Sequence, residues 1–378
     1  MKVLLISNYS HDRQESMLRF AAILRSGLAA AGVDAETVRP EPLFGRLRPG
    51  ARGLGKWLGY LDKFCVFPWR LRRLARGADV VHICDHSNAI YLPHIVARPH
   101  LVTCSDLLAI RSARGEFPQN RTGWTGRILQ RWILSGLRRA RRLTCASEAT
   151  RSDVLRLTGH PPECVSVTFM GQNFAYAPVA EISRAVEARR RGESSSAQAF
   201  SERGLPARPY ILHVGGSHWY KNRRGVLAIH AALRRRFGRE TPDLVLVGPP
   251  LARPIPGAET RQQVDNATLA ALYSGAELLL FPSLEEGFGW PIIEAQACGC
   301  RVLATGRAPL TEVGGNAAFY LADPNDAEAG AARVMEILAQ DEEARGKAIE
   351  AGIANAARFS TSRMISEYAA LYREVLGT

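Results

Sequence analysis

Residues 283–300 read SLEEGFGWPIIEAQACGC, and two carboxylates, Glu286 and Glu294, bracket a glycine turn and a proline there. Glu285 doubles the first of them and reads as a surface residue. Gly287 and Gly289 open backbone conformations closed to other residues, and Pro291 suits the first position of a helix. The apolar run AELLLF, 276–281, reads as a buried strand that Pro282 ends. A strand, a glycine turn and a helix in that order present free N–H groups and a partial positive charge, which together suit phosphate oxygens. Carboxylates do not bind phosphate. They accept hydrogen bonds from hydroxyls, and a sugar nucleotide carries hydroxyls at both ends of its diphosphate. Three uses stay open for the pair: catalysis, ligand holding, or acidic residues favoured near a helix N-terminus by the dipole alone.

A second element, HVGGSHWYKNRRG at 213–225, also follows a strand. Gly215 and Gly216 would let a ligand approach the backbone, with Ser217 next. Lys221, at a candidate helix start, could neutralise a diphosphate. The spacing is not G-x-x-x-x-G-K-[ST], so an ATPase reading fails. In VHICDHSNAIYLPH, 81–94, Asp85 and His86 fall just past a strand's carboxyl end. Each could orient a hydroxyl or relay a proton; alternatively Asp85 caps the following helix. Asp12, in the first loop, is a similar candidate, whereas His213 sits inside a strand run and reads as structural.

The elements that must position these groups alternate. KVLLIS, DVVHIC (79–84), HLVTCS (100–105), RRLTCAS (141–147) and CVSVTFM (164–170) read as strands of a first half. Met17, Phe20, Ala21, Leu24 and Leu28 recur at helical spacing, and that helix ends near Gly32. After a polar stretch at 181–207, expected as a linker or exposed excursion, YILHVGG, DLVLVG, AELLLF, RVLA and AAFYLA restart the pattern. Nearly continuous apolar strands separated by helices mean parallel sheets covered on both faces. The expected domains are 1–180 with 360–378, and 181–359. Ligands of such sheets bind at the carboxyl ends of the strands, so the site is expected in a cleft between the two domains.

The chain has 378 residues, too many for one ordinary core. No run approaches the ~18 uninterrupted apolar residues of a spanning helix. The seven cysteines show no C-x-x-C pair and no zinc spacing, and read as buried reduced thiols of a cytosolic protein. Charge is uneven: residues 1–180 hold 26 Lys/Arg against 13 Asp/Glu, while 181–378 hold 23 of each. The basic half should face something anionic. Residues 46–76 carry nine Lys/Arg and one acid, interleaved with Trp57, Tyr60, Phe64, Phe67 and Trp69. Residues 111–142 carry nine Arg and one acid, with Ile128, Leu129, Trp132, Ile133 and Leu137 able to line one helical face. Such segments suit an anionic membrane surface; a helix packed on the sheet with a solvated basic face explains the second equally well. No nucleic-acid-binding motif accompanies the charge.

Taken together, residues 208–378 resemble the glycosyltransferases of family 4, with the two-domain GT-B fold. The glutamate stretch looks like that family's E-x7-E motif, and VDNATLAALYSGAELLLFPS (264–283) and TGRAPLTEVGGNAAFYLADP (305–324) are also similar to the family pattern. The resemblance implies an α/β GT-B architecture: two doubly wound Rossmann-like domains, with the C-terminal helix returning to the first. It implies a retaining, metal-independent transfer from a UDP- or GDP-linked sugar to a hydroxyl of a glycan or lipid-linked acceptor, with no cofactor. The site would be cytoplasmic, at the inner face of the membrane. By carry-over, Glu286 contacts the donor sugar's hydroxyls near the reacting carbon and Glu294 holds the ribose. The N–H groups around Gly287, Phe288 and Gly289 meet the diphosphate, with Lys221 beside them, and the base lies near Leu269 and Tyr273. A leaving phosphate oxygen takes the acceptor's proton, a nucleophilic carboxylate being the older alternative. There are departures. The glycine loop lacks the family's arginine, with Ser217 and Tyr220 where it is expected, leaving Arg223 or Arg224 to replace it. The first-domain T-x-H-D run is VTCSD, which puts Ser105 in the histidine's place, followed by Asp106, a further catalytic candidate. The first loop, SNYSHDRQES, has no glycine. The same fold hosts nucleotide-sugar epimerases, and a catalytically silent nucleotide-sugar-binding subunit is a third reading.

Overall fold

The computed structural model describes residues 1–12, 14–47, 53–193 and 196–377. Residues 48–52 of the basic segment and 194–195 of the expected linker lie outside them. The chain divides into two compact units, Met1–Asn173 with Thr361–Thr378, and Phe174–Ser360.

In the first unit β1 (Lys2–Ile6), β2 (Asp34–Val38), β3 (Val80–Ile83), β4 (His100–Cys104), β5 (Arg142–Cys145) and β6 (Val165–Val167) form one sheet in the order β2-β1-β3-β4-β5-β6. In the second, β7 (Tyr210–Val214), β8 (Asp243–Val247), β9 (Ala258–Arg261), β10 (Leu278–Phe281), β11 (Val302–Thr305) and β12 (Phe319–Leu321) run β12-β11-β10-β7-β8-β9. Every ladder between these strands is parallel. The inner strands are buried along their length, which is why they read as unbroken apolar runs. Each sheet reverses its winding once, between β1 and β3 and between β7 and β10. At such a switch point the loops leaving two adjacent strands diverge and leave a crevice at the carboxyl ends.

Two strands had no apolar signature. β2 and β9 are edge strands of short, largely polar sequence, DAETV and AETR, open on one side. The helix Glu15–Ala30 buries Phe20, Ala21, Leu24 and Leu28, and Val33 N–H closes it on the Leu28 carbonyl at 2.9 Å. The last helix, Thr361–Leu376, packs on the first unit. Tyr372 O–H lies 2.8 Å from His82 Nδ1, and Tyr368 O–H 2.9 Å from Thr103 Oγ1, which in turn lies 2.8 Å from His82 Nε2. All four residues are buried, and burial holds the His82 imidazole down to about 3.

Three expectations change. The described residues of 181–207 are not a linker: helices Ala180–Arg190 and Ser196–Glu202 pack within the second unit, burying Ile182, Ala185, Val186 and Phe200. Arg189 of the first helix donates to buried Glu277 at 2.9 Å. The crossing also comes at Asn173/Phe174, because Tyr176 rings against Tyr273 at 6.0 Å and Val179 N–H donates to Ser274 Oγ at 3.0 Å. Finally, the helix Trp124–Leu137 buries Ile133, Leu134 and Leu137 but leaves Ile128 and Trp132 exposed, so the five residues named from sequence do not share one buried face.

Candidate functional site

The β7/β10 switch point of the second unit collects the residues singled out in its two loops. β7 runs into Gly215, Gly216 and Ser217, then a tight turn Trp219–Lys221, then the helix Arg223–Phe237. Asn222 starts that helix with φ +48°, which Asn tolerates better than most residues. Its Oδ1 accepts from Gly225 N–H at 3.1 Å, and its Nδ2 donates to the carbonyls of Pro282 and Pro324, each at 3.0 Å. One side chain thus caps the helix and ties it to the loops leaving β10 and β12. Leu284 N–H donates to the Tyr220 carbonyl at 2.7 Å and joins the loops leaving β7 and β10 through their backbones.

β10 leads through Pro282 to Glu286, Gly287, Phe288 and Gly289, and then to the helix Trp290–Ala297. Gly289 has φ +117°, a conformation that leaves no alternative residue at this corner. Buried Phe288 packs edge-on against Phe359, with ring centroids 5.7 Å apart, and fixes the corner from behind.

Across the crevice Lys221 Nζ donates to Glu286 Oε1 at 2.6 Å. The ammonium also lies 5.1 Å from the Phe281 ring centroid. Glu294, one helical turn in, is buried and accepts from Tyr273 O–H at 2.9 Å. Burial, and then the charge of Glu294, push the Tyr273 phenol well up, so it stays a donor. Of the two arginines named in this loop, Arg224 is exposed. Arg223 turns inward: its Nε and Nη2 are buried without a hydrogen-bond partner among the described residues, and burial lowers its pKa. Glu285 is half-buried and 3.7 Å from Arg307, not a free surface acid.

His213 is fully buried. Its Nδ1–H donates to the Leu280 carbonyl at 2.9 Å, and Nε2 has no partner among the described residues. Burial, assisted by the charges of Lys221 and Arg223, brings it down to about 4 despite the Leu280 hydrogen bond, so it is a neutral imidazole behind the glycine loop. Asn222 and Tyr273 were not picked out as donors to this site. For Asn222 the signal was present, an Asn immediately before a helical run. For Tyr273 it was not, because its partner lies on another helix.

In the first unit Asp85, His86 and Asp106 gather at the carboxyl ends of β3 and β4. Asp85 makes no capping bond to the following turn. It accepts from Asn8 Nδ2 at 2.6 Å and from Ser87 Oγ, and its Oδ1 lies 3.1 Å from His86 Nδ1, an ion pair rather than an aligned hydrogen bond. Burial opposes both charges, but each outweighs it for the other. Asp85 falls to about 2 through His86, Ser87 and Asn8, and His86 rises through Asp85 and the more distant charge of Asp106. Asp106 itself stands just before the helix Leu108–Ala113 and accepts from Leu108 N–H at 2.9 Å. Asp12 is paired with Lys63 at 2.6 Å. Among the described residues no three His, Cys, Asp or Glu side chains converge as a metal cluster.

Comparison with known proteins agrees with this fold. The family model for group 1 glycosyl transferases matches residues 208–340, and that for glycosyltransferase family 4 matches residues 19–171. O-antigen chain mannosyltransferase B of Escherichia coli is 28% identical over 316 residues, covering 79% of this chain and 76% of that protein. A D-inositol 3-phosphate glycosyltransferase of Salinispora arenicola is 32% identical over 207 residues, 49% of this chain and 46% of its own. Among solved structures, sucrose-phosphate synthase of Thermosynechococcus elongatus superposes with a TM-score of 0.73 at 18% identity, covering 100% of this chain and 99% of that one. HepE of Anabaena in complex with UDP-glucose superposes with a TM-score of 0.66 at 16% identity, covering 98% of both chains. At these identities the structural likeness shows the GT-B fold alone, and the family follows from the two models that between them span both units. The chain is a glycosyltransferase of family 4 with the GT-B fold.

Proposed function

We propose that this enzyme is a retaining, metal-independent hexosyltransferase that moves a sugar from a UDP- or GDP-linked donor to a hydroxyl of a glycan or lipid-linked acceptor, in cell-surface polysaccharide or glycolipid synthesis. The observation that carries the reading is the grouping of Lys221, inward-facing Arg223, the Gly289 corner, the part-buried Glu286 carboxylate and the buried Glu294 carboxylate at one switch point. Cations and a helix N-terminus meet a diphosphate. The carboxylates on either side meet the hydroxyls at its two ends, Glu286 those of the sugar and Glu294 those of the ribose. In this reading the charge that a metal would neutralise falls to Lys221, Arg223 and the helix dipole.

The Lys221–Glu286 pair also suggests an exchange. Lys221 is held by Glu286, so a diphosphate that takes the ammonium releases the carboxylate to the sugar. The C1–O bond to the diphosphate then breaks, and the acceptor oxygen bonds to C1 on the same face. The acceptor's proton passes to the leaving phosphate oxygen. Lys221, Arg223 and the N–H groups of Gly287, Phe288 and Gly289 stabilise the charge that develops there. Within the first unit, His86 beside Asp85 would offer an N–H donor to an acceptor hydroxyl, with Asp106 adding to the local field.

A mannosyl or glucosyl donor is the first to assay, since the named relatives include a mannosyltransferase and a UDP-glucose complex. The exposed Trp57, Trp69 and Trp124, set among the basic residues of 46–76 and 111–142, support contact with an anionic membrane surface at its cytoplasmic face. No helix of the described residues is long and apolar enough to cross a membrane. Purified protein given UDP-glucose, GDP-mannose and related donors should release the nucleoside diphosphate, and Glu286→Ala should abolish release while the protein stays folded. Unchanged turnover in that variant would remove Glu286 from the chemistry.

A further inference from the structure

The first unit holds a cavity of about 330 Å³ at its own switch point, between the loops that follow β1 and β3. That volume lies at the lower end of the ~300–1,000 Å³ of small-molecule sites. Its polar lining includes Asp12, Gln14, Ser87 and Asn88, and its apolar lining Tyr60, Phe64, Leu129 and Ile133. Gln130 also lines it, and its Oε1 is buried without a partner among the described residues. A ligand hydroxyl would relieve that desolvated oxygen.

The walls are fixed from behind. Buried Asp62 accepts from Tyr9 O–H at 3.0 Å, and from the N–H groups of Phe44 and Gly45, each at 2.9 Å. Asp62 opens a π-helical turn, Asp62–Val66, a distortion that recurs at functional sites. Gly59 also lines the cavity, and a Cβ there would rest against the Tyr9 ring at 3.4 Å, an ordinary contact, so a larger side chain can be placed at this wall. The polar lining continues into the Asp85–His86 pair: Asn88 Nδ2 donates to Asn8 Oδ1 at 3.3 Å, and Asn8 Nδ2 donates to Asp85 at 2.6 Å. From the cavity the rings run outward as a ladder. Phe64 meets Trp132 at 5.0 Å, Tyr60 meets Phe64 at 5.1 Å, and Trp57 meets Tyr60 at 5.7 Å, with Trp57 and Trp132 exposed.

We propose that this cavity takes a neutral sugar ring carried on an apolar chain, the ring inside and the chain along the aromatic ladder. Resting on the glycosyl-transfer reading above, it is the binding site for the terminal sugar of a lipid-linked acceptor. Amides, hydroxyls and a carboxylate beside aromatic faces match the hydroxyl edge and the C–H face of a pyranose. Lys63, at the wall, is paired with Asp12 at 2.6 Å, so that pair adds no net charge to the lining.

The test is calorimetric titration of the full chain with octyl and methyl glycosides of mannose, glucose, galactose and N-acetylglucosamine, below the micelle concentration. At least one octyl glycoside should bind, tenfold or more tighter than its methyl counterpart. Gly59→Leu, which fills the cavity, and Gln130→Ala should each weaken it about tenfold or more. Trp132→Ala should weaken the octyl glycoside but not the methyl one. The melting-temperature shift given by UDP or GDP should persist in all three variants, which also reports folding; if Gly59→Leu fails to fold, Gln130→Ala decides. The proposal is overturned if no octyl glycoside binds, if 1-octanol binds as tightly as the octyl glycoside, or if the cavity variants bind like wild type. Absence of any nucleotide shift in the wild-type protein would strike the glycosyl-transfer reading instead, and leave the titration result standing.

Discussion

Replacing Glu286 by glutamine should tighten the binding of a bare nucleoside diphosphate while abolishing turnover. Lys221 Nζ lies 2.6 Å from Glu286 Oε1, and the two side chains are 16% and 8% exposed. A diphosphate has to compete with this carboxylate for the ammonium. A hydrogen bond to a charged group is worth ~1.5–3 kcal/mol net, and an exposed ion pair only ~0–1 kcal/mol. Lys221 keeps some solvent, so the cost that falls on the ligand is about 1–2 kcal/mol. At ~1.4 kcal/mol per factor of ten, removing the competitor tightens UDP or GDP by about 5–30-fold. Glutamine keeps the shape and removes only the charge. Lys221→Met does the reverse: it withdraws the cation and leaves the carboxylate facing the phosphate, for a loss of about 30-fold or more. Calorimetric titration of the four members of the cycle at fixed ionic strength gives the coupling directly. A Glu286→Gln variant that binds the nucleotide no better than wild type would refute the exchange, whatever its turnover.

Three further outcomes follow from individual contacts. Tyr273→Phe removes the phenol that donates to Glu294 at 2.9 Å, so UDP or GDP should bind about 2–10-fold more weakly while pyrophosphate is unaffected, by the same titration. Arg223→Ala should weaken both the nucleotide and pyrophosphate, because its buried nitrogens face the phosphate side; loss of nucleotide binding without loss of pyrophosphate binding would reassign it. His82 is depressed in the folded protein to about 3 from an ordinary 6.5, so its contribution to stability is complete above pH 6.5 and is lost as the pH falls toward 3. The slope from this group is about 1.4 kcal/mol per pH unit. Urea midpoints between pH 7 and pH 4 should fall less steeply in His82→Gln than in wild type, and equal slopes would show that the buried network is not what titrates.

The donor side was legible because its chemistry is local. Glu286, Gly289, Pro291 and Glu294 lie within one strand–turn–helix unit, and Lys221 closely follows a second strand, so the switch point alone brings them together. The edge strands β2 and β9 were not legible, since they are short, largely polar and unpaired on one side. The helix Ala180–Arg190 was read as linker because its many charges hid Ile182, Ala185 and Val186, which are spaced i, i+3, i+4 and face inward. Ile128 and Trp132 look like core residues at helical spacing, yet they stand outside. Burial there depends on which neighbour the helix finds, and that neighbour, His86–His94, is a 3₁₀ segment whose sequence shows no helical period. The Asp62 latch and the cavity it shapes join residues 9, 44, 45 and 62, a grouping that no spacing rule reports.

The most direct test of the central claim is the configuration of the new glycosidic bond. Proton NMR of the reaction mixture, with an α-linked donor such as UDP-glucose or GDP-mannose and an octyl glycoside or lipid-linked acceptor, resolves the anomeric signal of the first product formed. Retaining transfer, lost in Glu286→Ala, gives an α-linked product. A β-linked product, or no transfer from any nucleoside-diphosphate sugar, would contradict the account.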